Sequence, residues 1–423
     1  MFLEHLFLYR KKLNIFCESK YFKDSSTNTK GLLLSAVIPL LVIPALSRIY
    51  SAQDYGLYAT FTAIVGIISG IGAGKYDVAI VMPKTRIHSI EVACVGHLAS
   101  ILSVIFVVVT LILGNIFFSI PSVFLWLIPL AIFISIQFNI ALNLAIRDQN
   151  FNYISRIRIT VATTSAILML LLGLVGLDFL GLIVATIFAQ FIGAAFLISF
   201  LSKTYRSDLK KISWYGLTCQ MRQYINYPKY SLASDLANSL ALKVPILSFA
   251  TFFGATETGY LAMFERLWSA SGIIGKGVGE TFRQKAAAEY AYIGNFHKTY
   301  LLTFWVLLFF SLPVWVLMIF CGPQIIVFIL GESWYVTGIY AQILATLVCM
   351  QFLASPLGWS VYIVNKLRWN MVWQVSLLIV YLVVFYIGIL LSDERKALIF
   401  YSILGSFMYF LYLLISYKLS SGK

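Results

Sequence analysis

Twelve apolar runs, each close to the length of a membrane-crossing helix, dominate the 423-residue chain. About 20 residues carry a helix across the hydrocarbon core. Runs of that order fall at 31–48, 57–80, 90–113, 121–145, 158–177, 179–201, 230–253, 258–281, 299–320, 335–363, 370–391 and 397–417. They are continuous rather than alternating, so the spanning element is a helix and not a barrel strand. Composition agrees: 60% of residues are hydrophobic and 11% charged, against about 45–50% and about 25% in soluble domains. The excess has to face lipid. Aromatics reach 16%, with 25 Tyr and 9 Trp, as expected where amphipathic rings line both interfaces. The expected fold is an all-α polytopic membrane protein.

The loops fix the expected orientation. With the N-terminus in the cytoplasm, the inside loops collect Lys84, Arg86, Arg147, Arg156, Arg158, Lys203, Arg206, Lys210, Lys211, Arg222, Lys229, Arg283, Lys285, Lys298, Lys366 and Arg368. The outside loops hold Arg48, Arg395 and Lys396 against Asp54, Asp178, Glu257, Glu332, Asp393 and Glu394. This alternation satisfies the positive-inside rule over the whole chain, and a missed span would scramble it downstream. Both termini are therefore expected in the cytoplasm.

Several function classes are disfavoured. The net charge of +14 is spread over short loops, not one groove, so nucleic acid is not the expected partner. Cys17, Cys94, Cys219, Cys321 and Cys349 and the four isolated histidines make neither a disulfide framework nor a metal site. No Walker sequence follows Gly31-Leu32, so ATP is not expected to act on this chain directly, and no cofactor is expected. Short outside loops weigh against a membrane glycosyltransferase or polymerase. Residues 1–30 interleave Arg10, Lys11, Lys12, Lys20, Lys23 and Lys30 with Phe2, Leu6, Phe7, Leu13 and Phe16. That pattern reads as a cytoplasmic basic segment on the anionic membrane surface rather than a cleavable leader.

The longest inside loop, 202–228, divides the chain into an expected N-lobe (31–201, helices one to six) and C-lobe (229–423, helices seven to twelve). The first two helices of each half superpose in sequence. Pro44-Ala45-Leu46-Ser47, Asp54-Tyr55-Gly56, Ala59, Phe61, Gly72, Gly74 and Asp77 match Pro245-Ile246-Leu247-Ser248, Glu257-Thr258-Gly259, Ala262, Phe264, Gly275, Gly277 and Glu280. Two six-helix repeats about an axis normal to the membrane form a known transporter plan.

Eight ionisable residues fall inside the apolar runs: Lys75 and Asp77 in the second, Asp235 and Lys243 in the seventh, and Glu265, Arg266, Lys276 and Glu280 in the eighth. Each costs roughly 2.5–3.5 kcal/mol at a helix centre, so the set belongs in a hydrated interior. Glu265, Ser269, Gly272, Lys276 and Glu280 share one face, as do Asp235, Ser239 and Lys243. Lys243 and Arg266 fall at similar depth, about 10 Å below the outer surface by helical rise. Two cations there suit an anion with several phosphate charges, Arg as a planar fork and Lys as a point charge. Lys75, Asp77, Lys276 and Glu280 also fit snorkelling from helix ends, and Asp235 a helix start. Gly66, Gly70 and Gly74 fit either close helix packing or a bending segment.

Three segments resemble the polysaccharide transporter family, which includes the Wzx O-antigen flippases, within the multidrug/oligosaccharidyl-lipid/polysaccharide exporter superfamily. These are Arg48-Ile49-Tyr50-Ser51-Ala52-Gln53-Asp54-Tyr55-Gly56-Leu57-Tyr58-Ala59, Lys75-Tyr76-Asp77-Val78-Ala79-Ile80-Val81-Met82-Pro83-Lys84, and Gly331-Glu332-Ser333-Trp334 with Gln342-Ile343-Leu344. The resemblance implies two pseudo-symmetric six-helix lobes around a central cavity lined by helices one, two, seven and eight. It implies translocation of undecaprenyl-pyrophosphate-linked oligosaccharide, without enzymatic chemistry, alongside membrane lipid, a polysaccharide polymerase and a chain-length regulator. Substrate contact is then expected at Lys243, Arg266, Lys75 and Lys276, and ion coupling or gating at Asp77, Asp235, Glu265 and Glu280. A multidrug-cation exporter of the same superfamily is the rival reading; it calls for an acidic cavity, which Lys243 and Arg266 disfavour.

Overall fold

The computed structural model describes residues 20–118 and 122–422, side chains apart at 20–30, 116–125, 230, 234, 270, 271, 273, 274, 276 and 367. Among these residues twelve long helices follow one another and no strand occurs: α1 Lys20–Ile49, α2 Ala52–Ile71, α3 Arg86–Phe118, α4 Ser122–Arg147, α5 Phe151–Leu174, α6 Asp178–Thr204, α7 Leu232–Phe252, α8 Ala255–Ile293, α9 His297–Leu330, α10 Tyr335–Leu357, α11 Leu367–Leu390 and α12 Glu394–Ser420. The loops that join them differ in the charge the sequence gives them. One set, here the low-charge end, includes 50–51, 175–177, 253–254 and 391–393. The other, the basic end, includes 148–150, 205–231 and 364–366.

Ten of the twelve are long and apolar enough to cross a membrane. The two that fall short, α7 and α8, are the two whose sequence carries Asp235, Lys243, Glu265, Arg266, Lys276 and Glu280. Side chains such as Phe106, Phe309, Phe320 and Phe328 stand exposed on the long helices. In water such a display would be an association hazard; on a multi-pass membrane protein it is the lipid-facing surface.

Two boundaries differ from the apolar runs. The run 57–80 reads through as one helix, but α2 stops at Ile71, and Gly74 and Lys75 both take φ 61° before a short helix, Tyr76–Ala79. The glycine tolerates that left-handed turn at no steric cost; Lys75 does not. Lys75 and Asp77 therefore lie beyond helix two rather than within it. At the other end α1 begins at Lys20, so the latter part of the basic N-terminal segment is helical backbone continuous with the first span. Residues 1–19 of that segment lie outside the described residues.

Contacts divide the helices into two compact units. The first comprises residues up to Pro39, Ile68–Met169 and Val184–Leu232; the second comprises Leu40–Ile67, Leu170–Ile183 and Ala233–Lys423. The division therefore cuts through α1, α2, α5 and α6 and is not confined to the 202–228 loop. The low-charge ends of those four helices belong with the C-terminal half of the chain.

Within the first unit the basic end is braced by Asp148, whose side chain is 8% exposed. It accepts from Arg86 at 3.1 Å, Arg147 at 3.1 Å and the Tyr205 hydroxyl at 2.9 Å. Arg86 also lies over the Tyr205 ring at 5.2 Å. Burial, and then the hydrogen bond to Asp148, push the Tyr205 hydroxyl well above its ordinary pKa. One acidic side chain thus ties together the starts and ends of α3, α4 and α6. The connecting segment carries a further helix, Trp214–Gln223, capped by Ser213, whose hydroxyl accepts from the Gly216 amide at 3.0 Å. Its Gly216 lies against the buried carboxylate of Glu91 on α3, and its Met221 carbonyl accepts from Tyr76 at 3.2 Å.

Candidate functional site

The second unit brings the sequence's repeated turn together with itself. A Cβ added at Gly56 on α2 would run into the backbone carbonyl of Ala255 on α8; one added at Gly259 on α8 would run into the carbonyl of Ala52 on α2. The contact is reciprocal. The offset that relates Asp54 to Glu257 in sequence also relates Ala52 to Ala255 and Gly56 to Gly259. The first turns of α2 and α8 thus cross backbone to backbone, which only small residues allow. Ser51 opens α2 with a reciprocal cap: its amide and hydroxyl donate to Asp54 at 2.9 and 2.6 Å, and the Asp54 amide donates to the Ser51 hydroxyl at 3.2 Å. The second carboxylate oxygen of Asp54 accepts the Phe179 amide at the start of α6 at 3.1 Å.

An indole locks this crossing. Trp334, 1% exposed, sits in the turn between α9 and α10. Its Nε1 donates to the Ser47 carbonyl on α1 at 2.9 Å, and the Ser47 hydroxyl donates to the Leu330 carbonyl on α9 at 3.0 Å. The indole meets Tyr55 edge-on at 5.5 Å and Tyr260 at 6.0 Å. Tyr260 continues to Tyr340, whose hydroxyl donates to Glu257. Tyr50, in the loop before α2, meets Tyr55 at 6.3 Å. Burial, then the charges of Asp54 and Asp178, push the Tyr50 hydroxyl up to about 12. Two of the segments that resemble the polysaccharide transporter family, around Tyr50–Gly56 and around Trp334, therefore meet and shut the low-charge end of this unit.

The ionisable residues of α7 and α8 lie beneath that closure. Arg266 projects to Tyr55, its guanidinium carbon 5.8 Å from the ring centroid, a cation–π contact. Lys243 has Glu265 within electrostatic reach, and Glu265 also reaches Tyr401 on α12. The two cations thus have distinct neighbours: an aromatic face for Arg266 and a carboxylate for Lys243. Asp235, in the first turn of α7, is half-buried, and Glu280 is exposed far along α8. The Lys276 side chain lies outside the described residues. Lys75 and Asp77 belong to the first unit.

The glycines of α2 do not behave as a packing stripe. A Cβ at Gly66 or Gly70 would meet nothing within 4 Å, whereas Gly72 lies against Ile136. The close approach that four-residue spacing suggested occurs instead at Gly56 and Gly259. Sequence inspection missed Trp334 and Ser47 as a pair; the two lie far apart in the chain and nothing local signals their contact.

Residues 45–339 match the family described as polysaccharide biosynthesis protein. No curated protein matches the sequence. Among solved structures the fold is similar to the lipid II flippase MurJ in an inward closed conformation, with TM-score 0.72, 15% identity, and coverage of 92% of this chain and 87% of that one. It is similar to a multidrug resistance MATE family transporter of the MOP superfamily in an inward-facing conformation, with TM-score 0.66, 15% identity, and coverage of 90% and 97%. A MOP superfamily transporter from Pyrococcus furiosus, described as having a binding pocket of reverse polarity, gives 0.57, 13%, 93% and 94%. At these identities the likeness is one of fold.

Proposed function

The chain belongs to the polysaccharide biosynthesis protein family, and we propose that it is a flippase for undecaprenyl-pyrophosphate-linked oligosaccharide repeat units. The head group of such a lipid brings several charges and many hydroxyls, and cannot cross hydrocarbon unaided. The protein supplies a path in which the pyrophosphate is met by Lys243 and Arg266, while the polyprenyl tail stays in lipid between helices. The basic end faces the cytoplasm of a bacterial inner membrane, as the loop charges require, and delivery is to the opposite leaflet.

The observation that carries this reading is the placement of cations directly beneath a shut low-charge end. Arg266 touches the lock itself through Tyr55. A ligand that draws Arg266 away removes one contact of the closure, which gives substrate binding a direct route to gate opening. Glu265 gives Lys243 an opposite charge when no phosphate is present, so ligand and carboxylate compete for one ammonium. Asp77, Asp235 and Glu280, with Glu265, are the groups through which an ion gradient would act, and Lys75 and Lys276 the cations nearest the basic end. A polymerase and a chain-length regulator consume the flipped unit.

Loss of the gene in its host tests the reading. Lipid-linked repeat units should accumulate on the cytoplasmic leaflet, with surface polysaccharide reduced and drug sensitivity unchanged. Normal surface polysaccharide together with altered drug sensitivity sinks it in favour of a multidrug exporter.

A further inference from the structure

One turn towards the basic end from Arg266, the second unit contains a cavity of about 270 Å³. It lies just below the range for drug-sized ligand pockets, roughly 300–1,000 Å³, a volume suited to a single sugar ring. Its walls come from α7, α8, α10 and α12: the rings of Trp268 and Tyr409, the amide of Gln351, the hydroxyls of Ser269 and Ser355, and Gly272. We infer that this cavity is a saccharide subsite that holds the first sugar ring attached to the pyrophosphate. The inference rests on the flippase reading and names the part of the substrate that reading leaves unplaced.

Three observations carry it. First, the wall chemistry is mixed in the way a pyranose is mixed. A sugar ring presents an apolar C–H face and a rim of hydroxyls; aromatic rings meet the face, and amide and hydroxyl groups meet the rim. An orientation-fixing handful of polar groups on an otherwise apolar wall is the usual plan of a small-molecule site. Second, the polar groups are held in place. The Gln351 amide nitrogen donates to the Tyr409 hydroxyl at 3.4 Å. This orients the amide and leaves its carbonyl and second N–H for a ligand. Third, the cavity is contiguous with the charged positions. Ser269 follows Arg266 by three residues and Glu265 by four, on the same face of α8. Its hydroxyl donates to the Arg266 carbonyl at 2.7 Å. The sugar of a glycosyl pyrophosphate is bonded directly to the phosphate, so a site for one must adjoin a site for the other. Gly272 keeps the wall open: a Cβ there meets nothing within 4 Å.

The test compares two water-dispersible probes on the full-length protein in lipid nanodiscs: farnesyl pyrophosphate, and farnesyl pyrophosphate bearing one N-acetylglucosamine. The sugar-bearing probe should bind about tenfold more tightly, the worth of one or two net hydrogen bonds. Trp268→Ala and Gln351→Ala should erase that difference and leave farnesyl pyrophosphate affinity unchanged, which also reports that the variants are folded. Gly272→Leu fills the cavity without removing any contact and should do the same. Lys243→Ala should weaken both probes alike. A wild-type protein that binds both probes equally, or variants that keep the tenfold difference, overturn the subsite and leave the flippase reading standing. Failure of wild-type protein to bind either probe overturns both.

Discussion

Replacing Trp334 by Ala should open the low-charge end of the second unit. The indole is fully enclosed, gives one hydrogen bond to the Ser47 carbonyl and packs edge-on against Tyr55 and Tyr260. Truncating a buried aromatic to Ala costs about 3–5 kcal/mol. The contacts to Ser47 and Tyr55 join α1 and α2 to the α9–α10 turn and exist only while that end is shut, so up to the whole of this cost falls on the shut state. At about 1.4 kcal/mol per factor of ten, the ratio of shut to open protein should drop by roughly a hundred- to a few thousand-fold. Spin labels at Gln53 and Thr256, both exposed and on the first turns of α2 and α8, report the separation on a background lacking the five native cysteines. Wild-type protein should give one short distance, and Trp334→Ala a longer one as the dominant population. Trp334→Phe keeps most of the packing and should lie between. An unchanged short distance in a folded Trp334→Ala protein refutes the claim that this indole holds the end shut.

Other consequences follow from the same geometry. Gly259→Leu puts a side chain against the Ala52 carbonyl; such overpacking costs about 1–3 kcal/mol and should lengthen the same spin-label distance. Asp148→Asn weakens three contacts at the basic end and should lower stability by about 2–3 kcal/mol in a denaturant or thermal series, with no change in that distance. Gly216→Ala drives a methyl into the Glu91 carboxylate and should lower the melting temperature; adding Glu91→Ala should recover part of the loss, a coupling that a double-mutant cycle reads directly. Asp393, which caps α12 by accepting from the Lys396 and Arg395 amides and pairs with the Lys396 ammonium, has its carboxyl held below the usual range. Its contribution is present above the unfolded pKa of about 3.9 and is lost as pH falls through the lower folded value. Asp393→Asn should therefore flatten the acid limb of a stability–pH curve.

Much of the fold was legible because lipid makes hydrophobic length decisive. The twelve runs correspond to twelve helices, and ten of them are long and apolar enough to cross a membrane, the charge-bearing α7 and α8 being the exceptions. Helix ends were less legible. Hydropathy carries on through Lys75 to Ile80, but the chain turns at Gly74, a backbone event that apolarity does not record. The stretch from Lys20 to Lys30 reads as part of a basic segment on the membrane surface, and its backbone is helical and continuous with α1. At the candidate site, Lys243, Glu265 and Arg266 were found because a charge inside an apolar run is a local property of the sequence. Their partners were not readable. Tyr55 reaches Arg266 from α2, and Trp334 reaches Ser47 from the other half of the chain. The repeat is intermediate: its offset was visible in sequence, while its meaning as a reciprocal crossing at Gly56 and Gly259 needed coordinates.

The most direct test of the central claim is transport in reconstituted vesicles. A polyprenyl-pyrophosphate-linked oligosaccharide is incorporated in both leaflets, and an impermeant pyrophosphatase added outside, which hydrolyses the P–O–P bond to polyprenyl phosphate and the oligosaccharide phosphate, reports how much is accessible. Without protein, about half should be cleaved, the rest being shielded because the head group cannot cross hydrocarbon. With the wild-type protein cleavage should run close to completion, and Lys243→Ala with Arg266→Ala should return it towards half. Cleavage that stops at half with wild-type protein correctly folded in the vesicles contradicts the account.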